Sequence, residues 1–281
     1  DVFYHDPDTL YISFHQDGRT LYPGTGFPEE AGSPGAWGTN INLPLLPGTG
    51  DEGLHRLYDG LISHILEDFQ PELIINSAGQ DNHFSDPLAS MSVTAQGYAR
   101  LADKLKADIA VLEGGYSIES ALPYVNTGII LAMAGLDYSK VVEPDLSMLR
   151  PQDERCNRQV DQLIEQVGEI YFQRQKTGKR LLEQCGGTWQ RRKGIYYDEE
   201  GIREQQVETV HYCSCGGYFT IQTAAEGTRF GNQNAFIVCL PRYACAHCRQ
   251  KAYDEALREK KSRRWQYVFV QNIADGLIET I

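Results

Sequence analysis

Four of the seven cysteines occur as two close pairs in the last quarter of the sequence. Cys213 and Cys215 are separated by one residue, and Cys245 and Cys248 by two. Four thiolates presented by two tight turns can satisfy the tetrahedral coordination of Zn²⁺, and the two glycines after the first pair suit such a turn. The spacing therefore predicts a structural zinc site with a full set of protein ligands.

Other interpretations of these cysteines stay open. Buried or redox-active thiols would show the same pattern, an iron–sulfur cluster is a third possibility, and the first pair is CxC where CxxC is usual. His211 or His247 could replace one thiol as a ligand. Cys239 lies inside an apolar run, IVCL, and is expected to be a core residue.

A second set of candidate residues follows strand-like apolar runs in the first half of the chain. These runs span 9–14, 40–43, 72–76 and 108–112. An amphipathic helical stripe lies between the second and third runs, and Thr94 can cap a helix between the third and fourth. The alternation of strands and helices predicts an open, mostly parallel α/β sheet flanked by helices.

In such sheets the ligand site lies beyond the carboxyl ends of the strands. The residues that follow those ends include two carboxylates, two histidines, two tyrosines and a glycine pair: His15, Tyr22, Asp81, His83 and the segment Glu113-Gly114-Gly115-Tyr116. Glycine at these positions lets the backbone approach a ligand closely, although an ordinary turn after a strand needs glycine as often.

Charge divides the chain into two parts. Residues 1–140 hold 19 acidic and 6 basic side chains, a net charge of −13, whereas the whole chain has a net charge of −12. The remaining residues are therefore nearly neutral, and this step in composition indicates two modules with different partners. An acidic module favours a cationic substrate over nucleic acid, and a solvated acidic surface is the simpler alternative.

The second half begins with a linker-like stretch, 144–151, followed by a helical stripe that predicts one long helix over about 152–176. Gly178 and Gly186-Gly187 are expected to interrupt the helical pattern that follows. Short β-like runs and a charged helix over 246–264 complete the chain. The predicted organisation is a catalytic-type module over 1–140, a helical linker over 141–190 and a zinc-ribbon-like module with a basic helix over 191–281.

Four segments of the first module resemble the histone deacetylase family, which includes acetylpolyamine amidohydrolases and acetoin-utilisation proteins. The segments are LYISFHQDGRTLYPGTG, GTNINLPLLPGTGDEG, SAGQDNHFSDPLASMSVTAQGYARL and VLEGGYSIESAL. They occur in the family's order and spacing and cover residues 1 to about 140. The resemblance implies an open α/β enzyme that hydrolyses acetylated amines, either acetyl-lysine in protein or acetylpolyamine, with a catalytic Zn²⁺.

The resemblance also implies a role for each matching residue. Asp81 matches a zinc ligand, and Tyr116 matches the tyrosine that polarises the acetyl carbonyl. Tyr22 and Leu88 match lining residues of the acyl channel, and Gly114 lies in the substrate-contacting GGY segment. Ser13 matches a side chain near a bound monovalent cation such as K⁺. His83 matches a family histidine that is not a ligand.

The chain departs from the family pattern in one respect. The family supplies its catalytic base as a histidine pair, and its other two zinc ligands from an Asp-x-His segment, both before the text that here reads FYHDP. This sequence contains neither of them. We therefore expect the chain to be an N-terminally truncated form that is inactive alone.

The main alternative is a non-catalytic scaffold whose zinc module and basic helix bind nucleic acid or a partner protein. Basic clusters at 191–193 and 260–264 favour this interpretation, whereas charged helix faces in water are the simpler one. The sequence has no apolar run long enough for a membrane span and no signal-like start, so we expect a cytoplasmic protein without a membrane partner.

Overall fold

The computed structural model describes residues 2–144, 146–197, 201–227, 229 and 231–281. Its first half contains four strands: β1 (Tyr11–Gln16), β2 (Asn40–Leu45), β3 (Ile75–Ala78) and β4 (Ile109–Leu112). β1 pairs in parallel with β2, and β3 pairs in parallel with β4. The predicted α/β class with parallel strands is confirmed, and within the described residues the strands form two separate pairs.

The helices between these strands follow the predicted pattern. α1 (Asp51–Leu57) continues through a π-helical turn, Tyr58–Ile62, into α2 (Ser63–Phe69), and most of the predicted stripe is buried in the core. α3 (Ala95–Leu105) is capped by Thr94, whose hydroxyl accepts a hydrogen bond from the Gly97 N–H at 3.0 Å, so the predicted cap is confirmed. α4 (Leu122–Met133) shares a core with α3.

The predicted long helix is present as α5 (Glu154–Phe172), and it belongs to the first core rather than standing apart from it. Its buried residues Val160, Leu163, Val167 and Tyr171 pack with the side chains of β2 and α2. The linker-like stretch before α5 contains a short 3₁₀ turn, Leu146–Met148, and its Asp145 lies outside the described residues. The apolar stripe of α5 is the face of the helix that packs against this core.

A second helix follows α5 directly, although the glycines were expected to interrupt the helical pattern there. α6 (Arg174–Cys185) contains Gly178, so the prediction of a break at that residue is wrong. A Cβ atom at Gly178 would lie 2.9 Å from the carbonyl oxygen of Pro34, which shows why glycine is present. The residue permits close packing of the helix on the turn Pro34–Ala36, and α6 ends where Gly186 adopts a left-handed conformation.

The C-terminal module is a six-stranded sheet rather than the few short strands that the sequence indicates. In chain order its strands are β5 (Thr188–Tyr197), β6 (Ile202–His211), β7 (Tyr218–Gly227), β8 (Gly231–Leu240), β9 (Tyr267–Asn272) and β10 (Leu277–Thr280). They lie in the spatial order β10-β9-β8-β7-β6-β5. α7 (Ala246–Ser262), the predicted charged helix, connects β8 to the parallel strand β9 and covers one face of the sheet.

The opposite face of this sheet meets the first module through a buried ion-pair cluster. Glu208 on β6 lies 3.3 Å from the His5 imidazole, 2.8 Å from the Arg191 guanidinium and 2.9 Å from the Lys193 ammonium group. Arg191 also stacks on the ring of Tyr4 at 3.6 Å. Two of the three basic residues at 191–193 therefore bind Glu208 from strand β5 instead of forming a solvated helix face.

None of the described helices is both long and apolar enough to cross a membrane.

Candidate active site and metal centre

The loops after β3 and β4 bring two predicted site residues together. Asp81 follows β3 and Tyr116 follows β4, and the two strands are paired in parallel so that their carboxyl ends lie side by side. Gly114 adopts a φ of +63°, and a Cβ atom there would lie 3.8 Å from the carboxyl carbon of Asp81. The Gly114–Tyr116 turn therefore packs directly against Asp81.

The second glycine of this turn is required by contact as well as by conformation. Gly115 has a φ of +87°, and an added Cβ atom would lie 2.7 Å from the Cβ atom of Gln80, next to Asp81. Only glycine adopts this backbone conformation without strain. Because Gly115 has no side chain, the turn that carries Tyr116 can pack closely against the loop that carries Asp81.

Replacing Gly115 by alanine is expected to displace the Tyr116 turn and to lower the free energy of unfolding by about 1–3 kcal/mol, since both the backbone conformation and the contact become unfavourable. Chemical denaturation measures the loss. Alanine at Gly135, which has a similar positive φ but no neighbouring atom within 4 Å, is the matched control for conformation alone. Equal losses in the two variants would show that the Gln80 contact contributes nothing.

Asp86, which sequence reasoning did not single out, anchors the backbone of Tyr116. Its carboxylate accepts a hydrogen bond from the Tyr116 N–H at 2.8 Å and others from the Leu88 and Ala89 N–H groups at 2.9 and 3.1 Å. The Leu88 and Tyr116 side chains are both more than half exposed. One buried carboxylate therefore fixes two of the predicted substrate-contacting residues relative to each other. In the sequence, the pair Asp86-Pro87 of the DPL segment was the pattern from which this role could have been predicted.

The electrostatic environment of Asp81 favours a cation. Burial raises the pKa of this carboxyl group, and the nearby negative charges of Asp86 and Glu113 raise it further. An isolated carboxylate in such surroundings is unfavourable unless a positive charge compensates it. A metal ion bound to Asp81 would supply that charge. Within the described residues, however, no group of three or more metal-binding side chains includes Asp81.

His83 is separated from Asp81 by its own set of partners. It is fully buried, its Nε2 atom lies 3.3 Å from Glu143 and its Nδ1 atom lies 2.9 Å from the Ser85 hydroxyl. Ser85 in turn contacts the Ser117 hydroxyl at 2.8 Å, beside Tyr116. His83 thus links the buried Glu143 carboxylate to the Tyr116 turn. Glu143 is 60 residues away in the sequence, so no local pattern indicated it.

The remaining predicted residues of this module lie around the end of β1. The Ser13 hydroxyl is 2.9 Å from Nδ1 of His15, and Nε2 of His15 is 2.9 Å from the Gly26 carbonyl oxygen in the PGTG loop. The Tyr22 side chain is half exposed and donates a hydrogen bond to the Tyr196 carbonyl oxygen at 2.9 Å. Tyr22 therefore contacts the C-terminal sheet at strand β5.

The four clustered cysteines converge at one end of that sheet. Cys213 and Cys215 lie in the turn between β6 and β7, Cys245 precedes α7 and Cys248 lies in its first turn. Their four Sγ atoms all lie within 4.8 Å of one another. Gly217 has a φ of +88°, and a Cβ atom there would overlap the His211 carbonyl oxygen, so the predicted need for glycine in this turn is confirmed.

This geometry fits a tetrahedral metal ion. Sulfur atoms at the Zn–S distance are about 3.8 Å apart in a tetrahedron, and the Sγ atoms of Cys215 and Cys248 are 3.7 Å apart. Burial opposes ionisation of Cys215, but the N–H groups of Cys245 and Gly217 and the neighbouring thiols lower its pKa to about 6, whereas burial and the same neighbouring thiols raise the pKa of Cys248. The donor set is therefore suited to a thiolate-bound metal.

Comparison with known proteins agrees with the resemblance of the first module to the histone deacetylase family. Residues 1–132 match the family model of the histone deacetylase domain. A probable deacetylase of Archaeoglobus fulgidus is 49% identical over 154 residues, which cover 52% of this chain and 42% of that protein. The acetylpolyamine amidohydrolase of Burkholderia pseudomallei is 34% identical over 125 residues, 43% of this chain and 36% of that protein.

The fold gives the same result. The crystal structure of the HDA15 HD domain superimposes with a TM-score of 0.52 and 26% identity, over 65% of this chain and 49% of that one. Residues 1–132 thus match the histone deacetylase domain, and the resemblance inferred from the sequence is confirmed. The chain spans less than half the length of these curated relatives.

Proposed function

We propose that this chain forms part of a zinc-dependent deacetylase that acts on an acetylated amine in the cytoplasm. The observation that supports the proposal most directly is the packing of the Gly114–Tyr116 turn against Asp81. A carboxylate close to other negative charges, followed on the neighbouring strand by an exposed phenol, supplies a metal ligand and a hydrogen-bond donor of the kinds used in amide hydrolysis at a metal. The substrate is the acetyl-lysine of a protein or an acetylpolyamine.

In this proposal each residue of the site has a distinct role. Asp81 supplies one carboxylate ligand of the metal, which when bound would polarise water and the acetyl carbonyl. The Tyr116 phenol donates a hydrogen bond to the carbonyl oxygen and stabilises the negative charge that develops on it. Tyr22 and Leu88 line the approach of the acyl chain, and Ser13 lies near a monovalent cation site.

The described residues do not complete this site. A catalytic zinc needs about three protein ligands, and amide hydrolysis needs a base to accept the proton of water and an acid for the leaving amine. Asp81 is one ligand, the sequence contains no histidine pair, and His83 is committed to Glu143. We therefore propose that the 281-residue chain does not turn over alone and that further ligands and the base come from additional polypeptide.

A fluorogenic acetyl-lysine peptide and N¹-acetylspermidine test this proposal. The 281-residue chain is expected to show no zinc-dependent release of acetate above the uncatalysed rate. An extended chain that carries a histidine pair and an Asp-x-His segment is expected to turn over. Its Tyr116→Phe variant should lose about 100-fold or more in kcat, with a smaller change in KM, because the phenol acts in the transition state. An active Tyr116→Phe enzyme would contradict the assigned role.

The C-terminal module is proposed to hold a structural zinc ion on Cys213, Cys215, Cys245 and Cys248. Four thiolates leave no open coordination position, so this metal would stabilise the module and perform no chemistry. Three of the four cysteines are partly buried and Cys248 is buried, in contact with the core beneath α7.

A second candidate activity, binding of nucleic acid or an acidic protein, is favoured by the end of α7. Lys260, Lys261 and Arg263 are all exposed there. A filter-binding series with duplex DNA and single-stranded RNA at increasing salt tests it. Affinity that falls with salt in the wild type, and less steeply in a Lys260→Gln/Lys261→Gln variant, would support this activity.

A further inference from the structure

An open groove of about 450 Å³ lies on the face of the C-terminal sheet opposite α7. The described residues that line it include two tyrosines, an isoleucine, a threonine, a glutamine and a glutamate: Tyr197, Ile202, Thr223, Gln233, Tyr267 and Glu204. Tyr267 is 46% exposed and its ring stacks on Phe269. Side chains on alternate residues of a strand share one face. The groove is therefore on the same face as Arg191 and Glu208, which contact the first module.

The carboxylate in this groove is held by neutral donors. The Tyr197 hydroxyl donates to Glu204 at 2.9 Å, the Gln206 amide donates at 2.6 Å, and the Thr223 hydroxyl donates as well. Burial opposes ionisation of Glu204, but these hydrogen bonds lower its pKa. The positive charge of Lys193 contributes to this lowering, although its ammonium group lies 2.9 Å from Glu208. Glu204 therefore presents a negative charge between aromatic rings.

The groove begins next to the predicted acyl channel. Tyr196, whose carbonyl oxygen accepts the hydrogen bond of Tyr22, is the neighbour of Tyr197 in strand β5. Burial, the hydrogen bond to Glu204 and the nearby Tyr22 phenol raise the pKa of Tyr197. The tyrosine that lines the acyl channel in the proposed function thus adjoins the groove.

We propose that this groove binds a lysine side chain of an extended peptide, with the ammonium group on Glu204 and the aliphatic stem against the rings of Tyr197 and Tyr267. An ammonium group is attracted both by a carboxylate and by aromatic faces, and its hydrocarbon stem packs on apolar surface. The side-chain amide of Gln233 offers hydrogen bonds to a peptide backbone. A polyamine has several ammonium groups, whereas Glu204 is the one carboxylate among the described residues that line the groove.

This assignment gives the C-terminal module a role in substrate recognition. A segment beside the acetylated lysine would lie along the sheet while the acetyl group approached Tyr22. That interpretation rests on the proposed deacetylase function, but binding of a lysine peptide is measurable whether or not the chain hydrolyses anything. A negative deacetylase assay would therefore leave the binding result unchanged, and the two proposals fail separately.

Fluorescence anisotropy with a labelled glycine–serine peptide that contains one lysine tests the site. A twin peptide with norleucine in place of lysine keeps the hydrocarbon stem and removes the charge. We expect the wild-type chain to prefer the lysine peptide by about tenfold, as a charge-assisted contact would give. Glu204→Gln should abolish that preference. Glu279→Gln is the matched control, because Glu279 also accepts a hydrogen bond from a tyrosine, Tyr253, and does not line the groove.

A second variant keeps the test decisive if Glu204→Gln fails to fold. Tyr267→Ala removes an aromatic wall without breaking any hydrogen bond to Glu204, and it should weaken the binding of both peptides several-fold. Equal affinity of the wild-type chain for the lysine and norleucine peptides would overturn the proposal. A lysine preference that survives Glu204→Gln would overturn it as well. Displacement of the labelled peptide by spermidine at lower concentration than by the unlabelled peptide would overturn the choice of a peptide over a polyamine.

Discussion

Replacing Cys215 by serine is expected to remove one zinc ion per chain and to destabilise the C-terminal module strongly. A metal that binds only the folded state stabilises it in proportion to the logarithm of its affinity, so a thousandfold loss of affinity removes about 4 kcal/mol. Metal analysis after dialysis gives the stoichiometry. Two of the three tryptophans, Trp189 and Trp265, lie in this module, so denaturation followed by tryptophan fluorescence reports mainly its unfolding.

Cys185→Ser is the matched control for this experiment. Cys185 ends helix α6 and does not belong to the group of four converging thiols, so its variant should keep both the zinc ion and the stability of the wild type. Iron in place of zinc would indicate the iron–sulfur alternative. A wild-type chain without metal, or a Cys215→Ser variant that keeps it, would contradict the structural zinc site.

The second large effect is expected at Glu208, which is 4% exposed. Glu208→Ala should lower the free energy of unfolding by about 3–5 kcal/mol, because it leaves the positive charges of Arg191 and Lys193 in a buried site without their partner. Urea denaturation measures the loss. Asp161→Asn, which breaks the exposed pair of Arg56 and Asp161, is the control and should cost less than about 1 kcal/mol.

The same residue predicts an acid-dependent loss of stability. Burial opposes ionisation of Glu208, but the hydrogen bonds from His5 and Lys193 and the charge of Arg191 lower its pKa from 4.5 to about 2. A carboxyl group whose pKa is depressed by folding contributes stability that is present above pH 4.5 and is lost as the pH falls toward 2. A shift of this size corresponds to about 3 kcal/mol.

The pH dependence of unfolding in Glu208→Gln checks this contribution. The wild type should lose stability between pH 4.5 and 2, and the variant should lose about 3 kcal/mol less over the same range. Parallel curves for the two proteins would show that another group is responsible for the acid sensitivity.

Local patterns predicted most individual elements correctly. The Thr94 cap, the stripe of α1 and α2, the charged helix α7 and the turn at Gly216-Gly217 all depend on residues within a few positions of one another. Such contacts are encoded by the period of a helix or the conformation of one glycine. The alternation of strands with helices indicated parallel strands, but it did not indicate which strands pair.

Long-range contacts were beyond this kind of reasoning. Gly178 appeared to be a helix breaker, because the carbonyl of Pro34 that excludes a side chain there is far away in the sequence. Glu208 was not singled out from the sequence, and its partner His5 is separated from it by most of the chain. The roles of His83 and Glu143 were invisible for the same reason.

The sequence by itself determined the chemical inventory of this protein: a thiol set with metal-ligand spacing, and an aspartate and a tyrosine at the ends of neighbouring strands in segments of the histone deacetylase family. Only the tertiary structure decided how these groups are held, through Asp86, His83 and the Glu208 cluster, and that a groove lined by Glu204 adjoins Tyr22. Residue types and short spacings are local properties of the chain, whereas burial, pKa and the partner of each charge depend on segments that meet only after folding.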